Sequence, residues 1–81
     1  MNSVTDINIY KKIKMLERDL KELSEVSAVV KSTMNSLTKF NKFYTIKKNV
    51  GHLMETYQNI KQAIKIKEDM LLTLQIRKDH E

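Results

Sequence analysis

The chain has no cysteine, proline or tryptophan, a single glycine, three tyrosines and two phenylalanines in 81 residues. Without cysteine it has no disulfide, and two isolated histidines, His52 and His80, do not supply the ligands of a structural metal site. Short chains that lack such cross-links depend on close packing or on other chains for stability. Few aromatic residues and almost no loop-forming residues argue against a compact globular core and predict few, short loops.

Long apolar runs are also missing. No stretch approaches the roughly eighteen apolar residues of a membrane-spanning helix, so we expect no membrane insertion. Residues 1–14 include Asp6 and lack a continuous apolar segment, which predicts that they are not a signal peptide. The absence of cysteine fits the cytoplasm or the nucleus.

No catalytic constellation is visible. A nucleophile needs an adjacent base, and His52 and His80 are far apart in the sequence. Glu68 and Asp69 are neighbours, but successive residues of a helix point about 100° apart and do not share a site. Gly51 stands alone, so there is no glycine-rich phosphate loop. We predict that the chain is not an enzyme and binds neither a cofactor nor a metal ion.

What the chain does contain is two stripes of apolar residues whose spacing alternates between four and three. The average, 3.5 residues, is the period of a helix face that packs against another helix along its whole length. Such a stripe is too narrow to form a core of its own, so we predict that both stripes are interfaces with partner chains. The first stripe is Ile9, Ile13, Leu16, Leu20, Leu23, Val30, Met34 and Leu37, and the second is Ile46, Val50, Leu53, Tyr57, Ile60, Ile64, Leu71 and Leu74.

Each stripe has one polar interruption, Ser27 in the first and Lys67 in the second. A polar residue at one core position lowers stability but can fix the register and the number of partners. The alternative for Lys67 is that the partner ends or diverges there and leaves the side chain in solvent. Val26 and Val29 widen the first stripe, and a broad apolar face usually contacts two neighbours.

The stripes predict two long helices, at about residues 5–39 and 46–76, with a break at about 40–49. Thr5 or Asp6 can cap the first helix. The second stripe starts two residues out of phase with the first, which a continuous coiled coil does not absorb. Asn41 or Asn49 is a candidate for the left-handed conformation that ends many helices.

The predicted fold class is all-α, and two arrangements satisfy the pattern. One is an antiparallel helical hairpin, with the stripes facing each other and an outside partner. The other is a kinked rod about 110–120 Å long at 1.5 Å per residue. Two arms of similar length favour the hairpin, and in both forms the chain is a single coiled-coil subunit completed by partner chains.

The net charge of +5 is concentrated in the middle of the chain, where Thr38 to Lys67 hold seven lysines and one acid, Glu55. Clustered cations attract acidic polymers and surfaces, such as nucleic acid, anionic lipid or tubulin. The alternative is that they keep the outer helix faces soluble. With only two arginines, base-specific nucleic-acid recognition is not favoured. The candidate acidic-surface contacts are Lys39, Lys42, Lys47, Lys48, Lys61 and Lys65.

Residues 50–64, VGHLMETYQNIKQAI, resemble the second-helix motif of the second Dad subunit family of the fungal DASH outer-kinetochore complex. Upstream, Leu16, Leu20, Leu23 and Val26 are similar to that family's leucine-rich first helix. Tyr57 and Thr56 stand where the family has Trp and Asn, and its Gly before the second helix is absent. The matching positions are Val50, Leu53, Met54, Tyr57, Gln58, Asn59, Ile60, Ala63 and Ile64.

The resemblance implies a non-catalytic scaffold subunit. DASH associates with microtubules and couples chromosomes to the spindle, which places such a subunit in the nucleus at the kinetochore and spindle, or in the cytoplasm. The stripes would then contact other helical DASH subunits. Two alternatives remain open: a small helical subunit of an organelle-positioning or vesicle-tethering complex, and a basic helical protein that binds nucleic acid directly.

Overall fold

The chain folds into an antiparallel hairpin of two α-helices. The structure, a computed structural model, describes the backbone of residues 3–79 and the side chains of residues 7–79. Helix α1 spans Ser3–Thr38 and helix α2 spans Tyr44–Asp79, and each has 36 residues. The described residues contain no strand. A helix of that length is about 54 Å long, and the molecule measures 63 × 14 × 14 Å. The all-α hairpin prediction is therefore confirmed, and the kinked rod is wrong.

The helix ends differ from the prediction by a few residues. α1 begins at Ser3, before the predicted start; the side chains of Thr5 and Asp6 lie outside the described ones, so their capping role stays a prediction. α2 extends from Tyr44 to Asp79, and the break shrinks from 40–49 to residues 39–43. Propensity differences of a few tenths of a kcal/mol per residue do not prevent Thr45 from joining a helix that half-buries Ile46.

The turn closes without a left-handed residue. No residue within 3–79 has a positive φ, so the prediction for Asn41 or Asn49 is wrong, and Asn49 lies inside α2. Instead, three-residue hydrogen bonds tighten the chain and satisfy carbonyl groups that the end of α1 leaves free. The N–H groups of Phe40, Asn41 and Phe43 donate to the carbonyl oxygens of Leu37, Thr38 and Phe40 over 2.9, 3.2 and 3.1 Å.

The two stripes are mirror images about this turn. Both stripes follow the same four–three steps outward from a point between Phe43 and Tyr44, where the turn meets α2, so that facing residues have numbers that sum to 87. Pairs whose residue numbers have the same sum include Leu16 with Leu71, Leu23 with Ile64, and Val30 with Tyr57.

Burial follows the mirror pattern. Every member of both stripes is buried or half-buried, whereas most of the other described side chains are exposed. Ile9, Ile13 and Leu16 are buried most deeply, at 6%, 5% and 7% exposure. The core is therefore a single seam between α1 and α2, one side chain wide and open along both edges.

Candidate partner-binding surface

The structure brings the sixteen predicted interface residues together inside one chain. Eight lie on α1 and eight on α2, and all are buried or half-buried. Most are only half-buried, because two helices alone cannot enclose a stripe. Contact between these residues and another chain stays a prediction.

Lys67 forms the one ion pair between the helices among the described side chains. Its Nζ lies 3.3 Å from Oδ2 of Asp19, and both side chains are 33% exposed. Lys67 holds the stripe position that mirrors Leu20, so Asp19 is the neighbour of its counterpart. The pair suits the register role considered for Lys67, although a partly solvated pair contributes at most about 1 kcal/mol.

Asp19 is a residue that the sequence interpretation missed. It lies beside the first stripe and is half-buried, unlike most charged residues of the chain. The sequence feature that points to Asp19 is the charge of Lys67, because a cation inside an apolar stripe needs a nearby anion on the facing helix. Reading the two stripes as mirror images would have led to it.

Ser27, the other polar interruption, is buried at 9% exposure. Its mirror position is Ile60. A small side chain at this point lets a larger one enter the seam, since volumes across facing core positions must be complementary. Ser27 is thus a seam residue, not a solvated gap.

The hairpin exposes more surface than a compact protein of its mass. Its accessible surface is 6488 Å² for 9.6 kDa, whereas the scaling law for folded monomers gives roughly 5,100 Å². The excess, roughly 1,400 Å², exceeds the roughly 800 Å² that each partner contributes to a standard interface. Among the described residues, 13 large hydrophobic side chains are 48% to 79% exposed. The elongated hairpin therefore leaves much apolar surface exposed to solvent.

One edge of the seam carries a row of these exposed side chains. Residues of α1 that follow the four–three spacing of Asp19 share its edge, and Asp19 reaches Lys67 of α2 on that same edge. A shallow groove lined by Lys12 and Met70 shows which edge of α2 adjoins it. We call this surface the shoulder face; it comprises Met15, Val26 and Val29 of α1 and Ala63, Ile66 and Met70 of α2.

The shoulder face is accessible, and its apolar side chains lie beside the charged pair Asp19 and Lys67 of the same edge. Its five larger side chains are 48% to 64% exposed, and Ala63 is half-buried. Val26 and Val29 are the two residues predicted to widen the first stripe. Because they lie outside the seam, at 48% and 64% exposure, α2 does not cover them. A third helix laid along this edge would cover them together with the open side of the seam.

The opposite edge is basic, and we call it the basic edge. Helical spacing places six lysines there against three acids, Glu17, Glu68 and Asp79. The Nζ of Lys61 lies 5.9 Å from the ring centroid of Tyr57, which is a seam residue. The lysines of the basic edge are Lys14, Lys21 and Lys31 of α1 and Lys47, Lys61 and Lys65 of α2.

The six lysines predicted to contact an acidic surface therefore do not form one patch. Lys39 and Lys42 lie in the turn, and Lys47 and Lys48 in the first turns of α2. Lys61 and Lys65 lie farther along the basic edge, about 27–33 Å from the turn at 1.5 Å per residue. The structure divides the cluster into a group of four at the turn and a separate pair.

No arrangement for metal binding occurs within the described residues: no three His, Asp or Glu side chains converge there. His52 is exposed on α2, and His80 lies outside the described residues. Glu68 and Asp69 are exposed at successive positions of α2. Neither described helix combines the length and apolar character needed to cross a membrane.

No protein-family model, curated protein or solved structure matches this chain. The likeness to the DASH subunit family therefore rests on residues 50–64 and on the leucines of the first helix. Of the three residues in that segment that exceed a generic heptad pattern, Gln58 and Asn59 are exposed and Ala63 is half-buried on the shoulder face.

Proposed function

We propose that the chain is a non-catalytic scaffold subunit of a hetero-oligomeric helical complex. The observation that supports this most strongly is the shoulder face, an exposed apolar row beside an open seam. A partner helix that packs there converts a two-helix hairpin into a three-helix arrangement with an enclosed core. The partner also covers the outer parts of the half-buried stripe residues, so the stripes serve both interfaces.

We further propose a DASH-type complex as the setting, in which the chain helps to couple chromosomes to spindle microtubules. The resemblance of residues 50–64 supports this setting. Gln58 and Asn59 are exposed, so the hairpin itself does not require them and they are free to contact another subunit. A subunit of an organelle-positioning or vesicle-tethering complex is the second candidate, favoured by the exposed aromatic residues and lysines at the turn.

The proposal is tested by two substitutions on α2 that differ only in the edge they alter. Ile66 lies on the shoulder face and Leu72 on the basic edge, and they are 54% and 58% exposed. We expect Ile66→Asp to lower recovery of the partner subunits at least about tenfold, because burying an unpaired charge is costly. Leu72→Asp should leave recovery unchanged.

The measurement is affinity purification of each tagged full-length variant from its native cells, followed by identification of the recovered chains. Circular dichroism of each purified variant checks that the hairpin remains helical. Equal recovery by Ile66→Asp and the natural chain would contradict the scaffold proposal. Recovery of helical partners unrelated to DASH subunits would contradict the setting alone. A stable helical homo-oligomer of the isolated chain would count against a hetero-oligomer.

A further inference from the structure

The turn of the hairpin gathers three exposed aromatic side chains. Phe40, Phe43 and Tyr44 are 53%, 53% and 79% exposed. They lie within five consecutive residues at one end of a rod 14 Å across. Two of the three are the only phenylalanines of the chain. None of them is needed for the seam.

The same end of the molecule is uniformly basic. Between Glu25 and Glu55 the sequence has no acidic residue. Lys39 and Lys42 lie in the turn, and Lys47 and Lys48 follow in the first turns of α2. With Phe40, Phe43 and Tyr44, these four lysines form what we call the tip.

From this combination we propose that the tip docks on an anionic lipid bilayer. Lysines near such a surface are attracted to acidic headgroups, each contributing about fivefold in affinity. Aromatic rings are favoured at the level of the headgroups, where one part of the ring is apolar and the other wet. Cation and ring lie side by side in the tip, since the Nζ of Lys42 is 5.2 Å from the ring centroid of Phe43. The long lysine stems let the charges stay in the headgroup layer while the rings enter more deeply.

The shape of the tip favours a lipid surface over the other acidic partners. An acidic protein would need a pocket to receive three protruding rings, whereas a bilayer interface accepts a convex end without a matching cavity. Single-stranded nucleic acid follows basic grooves lined by stacking residues, and the tip is the narrow end of a rod. It also contains no arginine, the residue best suited to bidentate phosphate contacts.

End-on docking keeps the two proposed surfaces separate. The rings reach only the headgroup region, so neither helix enters the hydrocarbon layer. The shoulder face extends along the rod away from the tip and stays accessible to a partner helix. The inference therefore does not depend on the proposed scaffold function, and either can fail without the other.

The first experiment compares two charge variants in vesicle co-sedimentation of the full chain. Vesicles of phosphatidylcholine with roughly one-third phosphatidylserine are compared with pure phosphatidylcholine vesicles. Lys47→Gln with Lys48→Gln should weaken binding to the anionic vesicles about 25-fold, from two lysines at about fivefold each. The matched control, Lys61→Gln with Lys65→Gln, removes the same charge about 20 Å from the tip, beyond the Debye length of about 10 Å at 0.1 M salt. It should change binding less than about twofold.

The second experiment asks whether the rings enter the interface. The chain has no tryptophan, so Tyr44→Trp introduces a single fluorescent probe at the tip. Its emission should shift to shorter wavelength when anionic vesicles are added, because the indole leaves bulk water. Leu72→Trp, a probe on α2 far from the tip at a position that is 58% exposed against 79% for Tyr44, should show no shift. High salt screens the lysines, so the vesicle binding that remains reports the rings. The double variant Phe40→Ser with Phe43→Ser should reduce this remaining binding to anionic vesicles. Circular dichroism of the variant should show that both helices are intact.

Several outcomes would overturn the proposal. One is the absence of binding to phosphatidylserine vesicles. Another is an equal loss in the two charge variants, which would indicate diffuse attraction by the whole basic edge. A third is tighter binding to single-stranded polyuridine than to anionic vesicles, with the same dependence on Lys47 and Lys48, which would make the tip a nucleic-acid surface.

Discussion

The two ends of the hairpin are built from the same four–three spacing and yet differ in packing and charge. At the end that carries the chain termini, Ile9, Ile13 and Leu16 are at most 7% exposed. Toward the turn, Met34, Leu37, Ile46 and Val50 are only half-buried, as are the α2 stripe residues at the terminal end, Leu71 and Leu74. Spacing alone therefore sets which residues enter the seam and does not set how well the seam is covered.

The two ends also differ in the side chains around the seam. At the terminal end, Ile13 and Leu16 face the mirror positions Leu74 and Leu71, which are also large and aliphatic. The Nζ of Lys78 lies 5.8 Å from the ring centroid of Tyr10, which is a contact between the two helices at this end. Toward the turn the exposed aromatic rings point outward and cover little. One end is specialised for stability, and the other presents cations and rings to the surroundings.

The largest predicted effect comes from deleting side chains at the two ends. Ile13→Ala should lower the free energy of unfolding by about 3 kcal/mol, because it leaves a cavity in the best-packed part of the seam. Leu37→Ala, at a half-buried position near the turn, should cost about 1 kcal/mol. Urea unfolding of the full chain followed by circular dichroism measures both. Equal losses would show that the ends do not differ in packing.

An intermediate effect is predicted at the only glycine. Gly51 lies on the exposed side of α2 with helical φ, and a Cβ added there meets no atom within 4 Å. Gly51→Ala should raise the free energy of unfolding by about 1 kcal/mol, since alanine has the higher helix propensity. The control Ala28→Gly, at an exposed position of α1, should lower it by about the same amount. A loss of stability in Gly51→Ala would mean that a partner or the local backbone requires glycine.

The smallest effect is predicted for the ion pair between the helices. A double-mutant cycle of Asp19→Ala and Lys67→Ala should give a coupling of no more than about 1 kcal/mol, because both side chains are one-third exposed and partly screened. Raising the salt concentration should reduce the coupling further. A coupling well above that value at high salt would indicate a pair held in a drier environment than the isolated hairpin provides.

Much of this fold follows from the sequence. The stripe spacing predicts two helices, and the phase offset between the stripes predicts the break. The exact turn does not follow, because residues 40–49 contain several weak helix formers whose propensities differ by only a few tenths of a kcal/mol. Packing of Ile46 decides where α2 begins, and that depends on the facing helix.

The surface features were less predictable. Val26 and Val29 could be recognised as extra width on the first stripe, but Ile66 and Met70 belong to the same face only once the hairpin sets the two helices side by side. Asp19 could be identified as the partner of Lys67 only from the mirror pairing of the two stripes. The aromatic residues of the tip could be placed at one end of the molecule only once the turn was known to lie at residues 39–43.

The central claim is that the stripes pair within one chain and leave the shoulder face for partners. Spin labels at Lys11→Cys and Ile76→Cys test it directly, since the chain has no other cysteine. Packed antiparallel helices hold these positions about 20–40 Å apart, label arms included. Double electron–electron resonance should give that distance for the isolated full chain and also for the chain in its native complex. A separation approaching 100 Å in the complex, as for a rod of 65 residues at 1.5 Å each, would show that the stripes open toward partner chains and would contradict the claim.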